Sequence, residues 1–310
     1  MQNGLSDLKK HLRTLRETGE PEVHERVDLR AWTALGVGGS ADLLIRCRSA
    51  DGLQRALDLL ATHGLKWLAL GSGSRLVPPD RGLRIPLVNL SGNLGLWDLD
   101  MDGTVAGGGA NLAQVCRAAA RTGLHGAGSL TTSMNSIGGA VHSAAHRKSA
   151  IGDAFEWVDL ARPGGPPERI EMAPNADAIQ SLKSILERRV VVRARLRLTG
   201  ESLKSEDATS ASNRVPVIQR LPRSTYPFLA HADGSDPGDV LTEAGCLGMT
   251  AGGVRVSRRY PNRLFASRGA RAVDVARLCR EVRARVEERV GIALDPALFF
   301  VDEQGRVIDP

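Results

Sequence analysis

Two glycine clusters carry the spacing that could do chemistry. Gly71-Ser72-Gly73-Ser74 follows the apolar run Lys66-Trp67-Leu68-Ala69-Leu70, and Gly138-Gly139 follows the small polar stretch Thr131-Thr132-Ser133-Met134-Asn135-Ser136-Ile137. A pyrophosphate needs backbone N–H groups brought close, which glycine at a strand end or helix start permits. Taken singly, each short motif fits a plain turn equally well. His142 and His146 stand four residues apart, a spacing that two metal ligands on a helix could use. No Glu or third ligand is spaced with them, so the pair reads as chance and no metal is expected.

The elements that must hold these clusters can be read from periodicity. Ala41 to Cys47 (ADLLIRC) and Lys66 to Leu70 (KWLAL) read as strands. Between them Leu53, Leu57 and Leu60 share one helical face, opened by Ser49 or Asp51 and stopped by Gly64. A helix over 111–122 takes Asn111 as its cap and Val115, Cys116, Ala119 and Ala120 as its stripe. Residues 155–161 (FEWVDLA) read as a strand, and 192–198 alternate apolar residues with Arg as a half-exposed strand does. A strongly amphipathic helix carries Val275, Cys279, Val282, Val286 and Val290, closed by Gly291. The tail is strand-like around a turn at Gln304-Gly305.

This organisation divides the chain into an N-terminal polar helix over 1–19, units over 20–93 and 94–198, a polar linker over 199–213 and a third unit over 214–310. With 310 residues and 42% hydrophobic composition there is ample material for buried cores. No run of eighteen apolar residues occurs, and no membrane span is expected. The N-terminus has no apolar core and does not read as a signal peptide. Cys47, Cys116, Cys246 and Cys279 are scattered without a C-x-x-C pair. That excludes a disulfide framework or zinc ribbon and fits a reducing compartment, so the expected location is cytoplasmic. The net charge of +6 comes from arginines spread along helices and strands, without a nucleic-acid motif. A solvated basic surface or an anionic small molecule is expected, not nucleic acid.

Three segments in order resemble one family. They are 33–45 with 70–90, 107–141 (GGGANLAQVCRAAARTGLHGAGSLTTSMNSIGGAV), and 238–298. Together they resemble the UDP-N-acetylenolpyruvoylglucosamine reductases, flavoenzymes of peptidoglycan precursor synthesis. The resemblance implies a mixed α/β (α+β) fold: a two-part FAD-binding region of the vanillyl-alcohol-oxidase (PCMH) type and a C-terminal α/β substrate-type domain. It also implies FAD as cofactor, NADPH as reductant in an active member, and a UDP-sugar or other anionic nucleotide as ligand.

Carried over residue by residue, the family's first flavin loop, Gly-x-Gly-Ser-Asn, falls on Gly71, Ser72, Gly73, Ser74 and Arg75. Arg75 replaces Asn and could itself contact phosphate. The second loop, Gly-Ile-Pro-Gly-Thr-Val-Gly-Gly-Ala, falls on residues 132–140 and keeps Ser136, Gly138 and Gly139. Thr132, Met134 and Asn135 bring side chains where backbone is implied, so weak flavin retention is expected. The family's arginine position falls on Gln180-Ser181-Leu182-Lys183, leaving Lys183 as the only cation, without a bidentate fork. The proton donor falls on Tyr226, with Ser224 and Thr225 out of register, and the Lys-Asn-Pro element becomes Leu229-Ala230-His231. The catalytic glutamate falls on Ala297, across Pro296 from Asp295. Val256-Ser257-Arg258-Arg259-Tyr260-Pro261-Asn262 keeps the serine and asparagine of a substrate-domain element, which makes Ser257 and Asn262 the implied substrate-binding residues. Three readings follow. One is a divergent homologue that keeps the fold and binds FAD or a nucleotide without the standard catalytic set. Another is an active dehydrogenase using Tyr226 and Lys183. The last is an interaction protein on the same scaffold.

Overall fold

A computed structural model describes residues 7–8, 20–100, 103–124, 135–146, 154–172, 179, 181–186, 188–198 and 223–310. The expected N-terminal helix lies almost wholly outside these residues, as do the linker over 199–213 and the loop positions Thr132, Ser133 and Met134. The chain forms two compact units. The first comprises Met1–His24, Leu44–Ser72 and Leu87–Gln219; the second comprises Glu25–Leu43, Gly73–Pro86 and Arg220–Pro310.

Two sheets hold the strands of the first unit. In one, the strand order is Glu22–Asp28, Ser40–Cys47, Leu87–Leu90, Leu68–Leu70. Leu87–Leu90 pairs in parallel with a strand on each side, at Leu44↔Leu87 and Leu68↔Leu87. Helix α1 (Ala50–Thr62) makes the crossover and buries Leu53, Ala56, Leu57 and Leu60. Of the two caps the sequence offers, Ser49 and Asp51, the Ser49 hydroxyl is the one that caps it, accepting the Gly52 amide at 3.1 Å. The other sheet is antiparallel, in the order Trp97–Asp100, Gly103–Gly107, Val190–Arg197, Phe155–Arg162, Gly165–Glu171.

Helices α2 (Leu112–Arg121), α3 (Ile137–His146) and α4 (Lys183–Leu186) contribute to the core of this second sheet through Val115, Ile137, Val141 and Leu186, beside Phe155, Leu160 and Ala194. The Asn111 side chain accepts the Gln114 amide at 3.0 Å and so caps α2. Elsewhere on the sheet, Asp159 is 5% exposed and accepts from Arg169 at 2.8 Å and Arg193 at 2.7 Å. The Arg169 guanidinium also lies 3.6 Å from the centre of the Trp157 ring. Arg193 of the alternating strand is thus paired, and Arg169 of the edge strand is both paired and stacked. Burial is the largest single effect on Asp159 and pushes its carboxyl up, but the two guanidinium groups together outweigh it and hold the group below the usual carboxylate range.

In the second unit, an antiparallel sheet runs Ser224–Thr225, Leu264–Ala266, Val254–Val256, Thr250–Ala251. Leu229–Ala230 pairs with Asp295–Pro296, and Phe299–Val301 pairs with both Val307–Ile308 and Leu76–Val77. Helix α5 (Gly238–Glu243) and the long helix α6 (Ala272–Val290) pack over a core that includes Val254, Val256, Leu264, Val275, Cys279, Val282 and Val286. Gly291 ends α6 with φ of 73°, a left-handed stop that glycine adopts without strain. Asp80 accepts the Ala272 amide at 2.8 Å at the other end of α6. Leu35, Val37 and Val77 join this core, so the second unit draws on residues 25–43 and 73–86 as well as on the C-terminal part. Among the described residues no helix is long and apolar enough to cross a membrane.

Candidate functional site

The glycine loops come together within the first unit. The segment leading into α2 zips onto the start of α3: Gly138 donates to the Gly108 carbonyl at 2.8 Å, Ile137 to Ala110 at 2.9 Å, and Leu112 to Asn135 at 3.1 Å. Ser136 caps α3, its hydroxyl accepting the Gly139 amide at 3.2 Å. A Cβ on Gly71 would collide with that same hydroxyl and sit 3.9 Å from Cα of Gly139. Gly71, Ser136, Gly138 and Gly139 therefore form one close-packed junction. Just beyond it the chain enters the second unit. There Gly73 has φ of 63°, and a Cβ on it would overlap the Trp32 carbonyl. Its own carbonyl accepts the Ala34 amide at 2.9 Å. Ser74 is buried and its carbonyl accepts the Thr225 hydroxyl at 2.5 Å, while the Arg75 carbonyl accepts the Phe299 amide at 2.8 Å.

Around Tyr226 the second unit gathers most of the implied chemical positions. Ser224 and Thr225 are fully buried in their strand, paired with Phe265 and Leu264. Tyr226 follows, half-buried, and its hydroxyl donates to Asp236. Burial, with the Asp236 carboxylate second, pushes the phenol well above its ordinary range, so it stays protonated. Asn262 is 2% exposed and holds the next residues. Its Oδ1 accepts the amides of Phe228 at 3.1 Å and Leu229 at 3.0 Å, and its Nδ2 donates to the Leu229 carbonyl at 2.8 Å. Asn262 Nδ2 also reaches Asp236 at 3.3 Å. Ser257 turns the preceding loop, its hydroxyl accepting the amides of Arg259 at 3.1 Å and Tyr260 at 2.9 Å. Ser257 thus directs its side chain to backbone, and Asn262 directs its own to backbone and to Asp236. Ala297 lies across from this segment: its amide donates to the Phe228 carbonyl at 2.8 Å, and it is 1% exposed. A methyl group therefore occupies the buried position of the implied carboxylate, while Asp295 is exposed.

Lys183 begins α4 in the first unit and is exposed, beside the fully buried Leu182; Gln180 of that motif lies outside the described residues. Sequence reading passed over two further residues. Asp236 partners Tyr226. Arg263 is 3% exposed, its guanidinium 5.6 Å from the Tyr226 ring and 5.5 Å from the Tyr260 ring. The available signal was an arginine at the head of an apolar strand, Arg263-Leu264-Phe265.

The histidine pair is a stacked contact, with ring centroids 4.2 Å apart and His146 Nδ1 2.9 Å from the His142 carbonyl. Among the described residues no group of three or more His, Cys, Asp or Glu could hold a metal. Burial first, and His146 second, bring the His142 imidazole down to about 3. Unfolded, the same ring takes a proton near its ordinary value of about 6.5. As pH falls below that value the unfolded chain binds a proton that the fold excludes, and stability is lost. His142→Gln is expected to lose less stability than the native chain between neutral pH and about pH 5, read by denaturant titration. Equal losses would count against the buried neutral imidazole.

Comparison with known proteins places this geometry in a class. Residues 41–165 match the family model described as an FAD binding domain, and residues 214–301 match the UDP-N-acetylenolpyruvoylglucosamine reductase C-terminal domain. The fold is a two-part flavoprotein region of the PCMH type joined to a substrate-type domain. A UDP-N-acetylenolpyruvoylglucosamine reductase of Acidiphilium cryptum is 32% identical over 287 residues, covering 88% of this chain and 91% of its own. One from Syntrophotalea carbinolica is 29% identical, covering 93% and 94%. The crystal structure of the reductase from Thermus caldophilus superposes with a TM-score of 0.67 at 26% identity, over 90% of this chain and 99% of its own. The chain belongs to the UDP-N-acetylenolpyruvoylglucosamine reductase family.

That family implies a flavin, which the start of α3 can be asked to hold. The glycines there permit close approach, but the protein's own atoms make it. The first-turn amides of Ile137, Gly138 and Gly139 already donate to Ala110, Gly108 and Ser136. None of these three is left to grip a pyrophosphate, so this helix end does not fit the group as an anion cradle.

Proposed function

We propose that this chain is a nucleotide-binding member of the family that keeps the reductase scaffold without reducing UDP-N-acetylenolpyruvoylglucosamine at an enzyme's rate. The ligand class is a UDP-sugar or a related anionic nucleotide. FAD is held weakly, because the α3 amides are engaged and Asn135 replaces a loop glycine of the family.

One observation carries the reading: buried Ala297 stands, pinned to Phe228, where the family's reaction calls for a carboxylate. Hydride addition leaves negative charge beside the substrate carboxylate, and a polar group must stabilise it. A methyl group cannot, and losing one such group typically costs on the order of a hundredfold or more in rate. Tyr226 keeps its proton and can donate it, but with its pKa raised it is a weak acid for the task.

The test is a steady-state assay of NADPH consumption with excess FAD and substrate. No turnover above background is expected. Turnover on the order of one per second, abolished by Tyr226→Phe, would replace this reading with that of an active dehydrogenase in peptidoglycan synthesis.

A further inference from the structure

Arg263, beside the Tyr226 ring, has a side chain left with unmet demands. Its backbone is fully used: its amide donates to the Tyr260 carbonyl at 3.0 Å and its carbonyl accepts the Ser257 amide at 2.8 Å. These bonds close the loop 257–263 and fix where the side chain starts. The side chain then runs into the protein, 3% exposed, and its Nε and Nη1 are buried without a hydrogen-bond partner. The ring faces of Tyr226 at 5.6 Å and Tyr260 at 5.5 Å flank it. Asp236, the nearby acid, is occupied by the Tyr226 hydroxyl and by the Asn262 side chain and Gly238 amide.

Guanidinium cannot shed its charge, so burying it without a hydrogen-bonded anion is among the costlier arrangements a fold can adopt. Such a group persists where something else supplies the partner. Both tyrosines beside it are half-buried and Asp236 is exposed, so the cluster lies within reach of solvent.

We propose that Arg263 is an anion-binding residue of the second unit, donating its unpartnered N–H groups to phosphate oxygens of a nucleoside diphosphate held beside Tyr226 and Tyr260. The assignment rests on the nucleotide-binding reading above and names the group that recognises the diphosphate. Phosphate matches a planar multi-donor cation, and the flanking aromatic faces suit the ligand's ring or sugar.

The test uses the full chain with UDP, uridine and inorganic pyrophosphate as probes, followed by calorimetry and thermal unfolding. UDP and pyrophosphate are expected to bind and to raise Tm, and uridine is expected to bind much more weakly. Arg263→Met is expected to lose at least about tenfold in UDP affinity, with Arg263→Lys intermediate. Without ligand, Arg263→Met is expected to unfold at a higher temperature than the native chain, because it removes an uncompensated buried charge. A purely structural arginine would give a lower one, and that result would overturn the proposal. UDP bound equally by the native and Met proteins would also overturn it while leaving the nucleotide reading intact. Pyrophosphate bound through Arg263 without any UDP binding would keep the anion site and sink the nucleotide reading. Binding of neither would end both.

Discussion

Asn262→Ala is expected to cost roughly 3–5 kcal/mol of stability, the largest effect of any single truncation near Tyr226. The wild-type side chain satisfies the amides of Phe228 and Leu229 and the carbonyl of Leu229. Phe228 and Leu229 are fully buried, so no solvent replaces the lost partner. Each orphaned buried amide costs on the order of 1–3 kcal/mol. Asn262→Asp keeps the acceptor but loses the donor to Leu229 and places a second carboxylate beside Asp236. It should fall between the two, and its deficit should shrink as pH drops and the added acid is protonated. Denaturant unfolding of the three proteins checks this. An alanine variant within about 1 kcal/mol of the native chain would show that Asn262 is not the tie that holds this segment.

Gly73→Ala is expected to be nearly as damaging, at about 3 kcal/mol or more. Two effects add there: φ of 63°, which an L side chain resists, and a Cβ driven into the Trp32 carbonyl. Gly64 separates them. Its φ of 61° is nearly the same, but a Cβ there meets nothing within 4 Å. Gly64→Ala should therefore show only the backbone cost, about 1–2 kcal/mol. The difference between the two variants measures the close approach itself. Similar values for both would mean that the loop relaxes freely, and that Gly73 is kept for its dihedral alone.

Much of the scaffold was legible because its signals are local. Ser49 and Asn111 announced helix starts that their side chains do cap. The valine spacing and Gly291 delimited α6, and the alternation after Val192 gave the half-exposed strand. What stayed hidden depends on residues far apart in sequence. Leu35, Val37 and Val77 look like ordinary apolar residues, yet they pack in the core built mostly from the C-terminal part. Asp80 caps a helix 192 residues away. At the candidate site the sequence could name the implied proton-donor and carboxylate positions, Tyr226 and Ala297, which lie on segments joined by the Ala297–Phe228 hydrogen bond; it could not say what they do. Ser136, Ser257 and Asn262 read as ligand-binding polar groups; here Ser136 and Ser257 accept from backbone amides, and Asn262 bonds the backbone of Phe228 and Leu229 and reaches Asp236. Nothing in the residue type tells a capping hydroxyl from a ligand-binding one. Arg263 was invisible for the opposite reason: an arginine at a strand start reads as surface, and only the packing shows it buried.

Reoxidation of reduced flavin, followed under anaerobic conditions, isolates the step at which a proton donor and a charge-stabilising carboxylate would act. The protein is saturated with FAD, reduced until the visible flavin band is bleached, and mixed with UDP-N-acetylenolpyruvoylglucosamine. If the scaffold survives without the chemistry, the flavin stays bleached after the substrate is added. Return of the oxidised band within about a second, slowed strongly by Tyr226→Phe, would contradict the loss of the family's reaction.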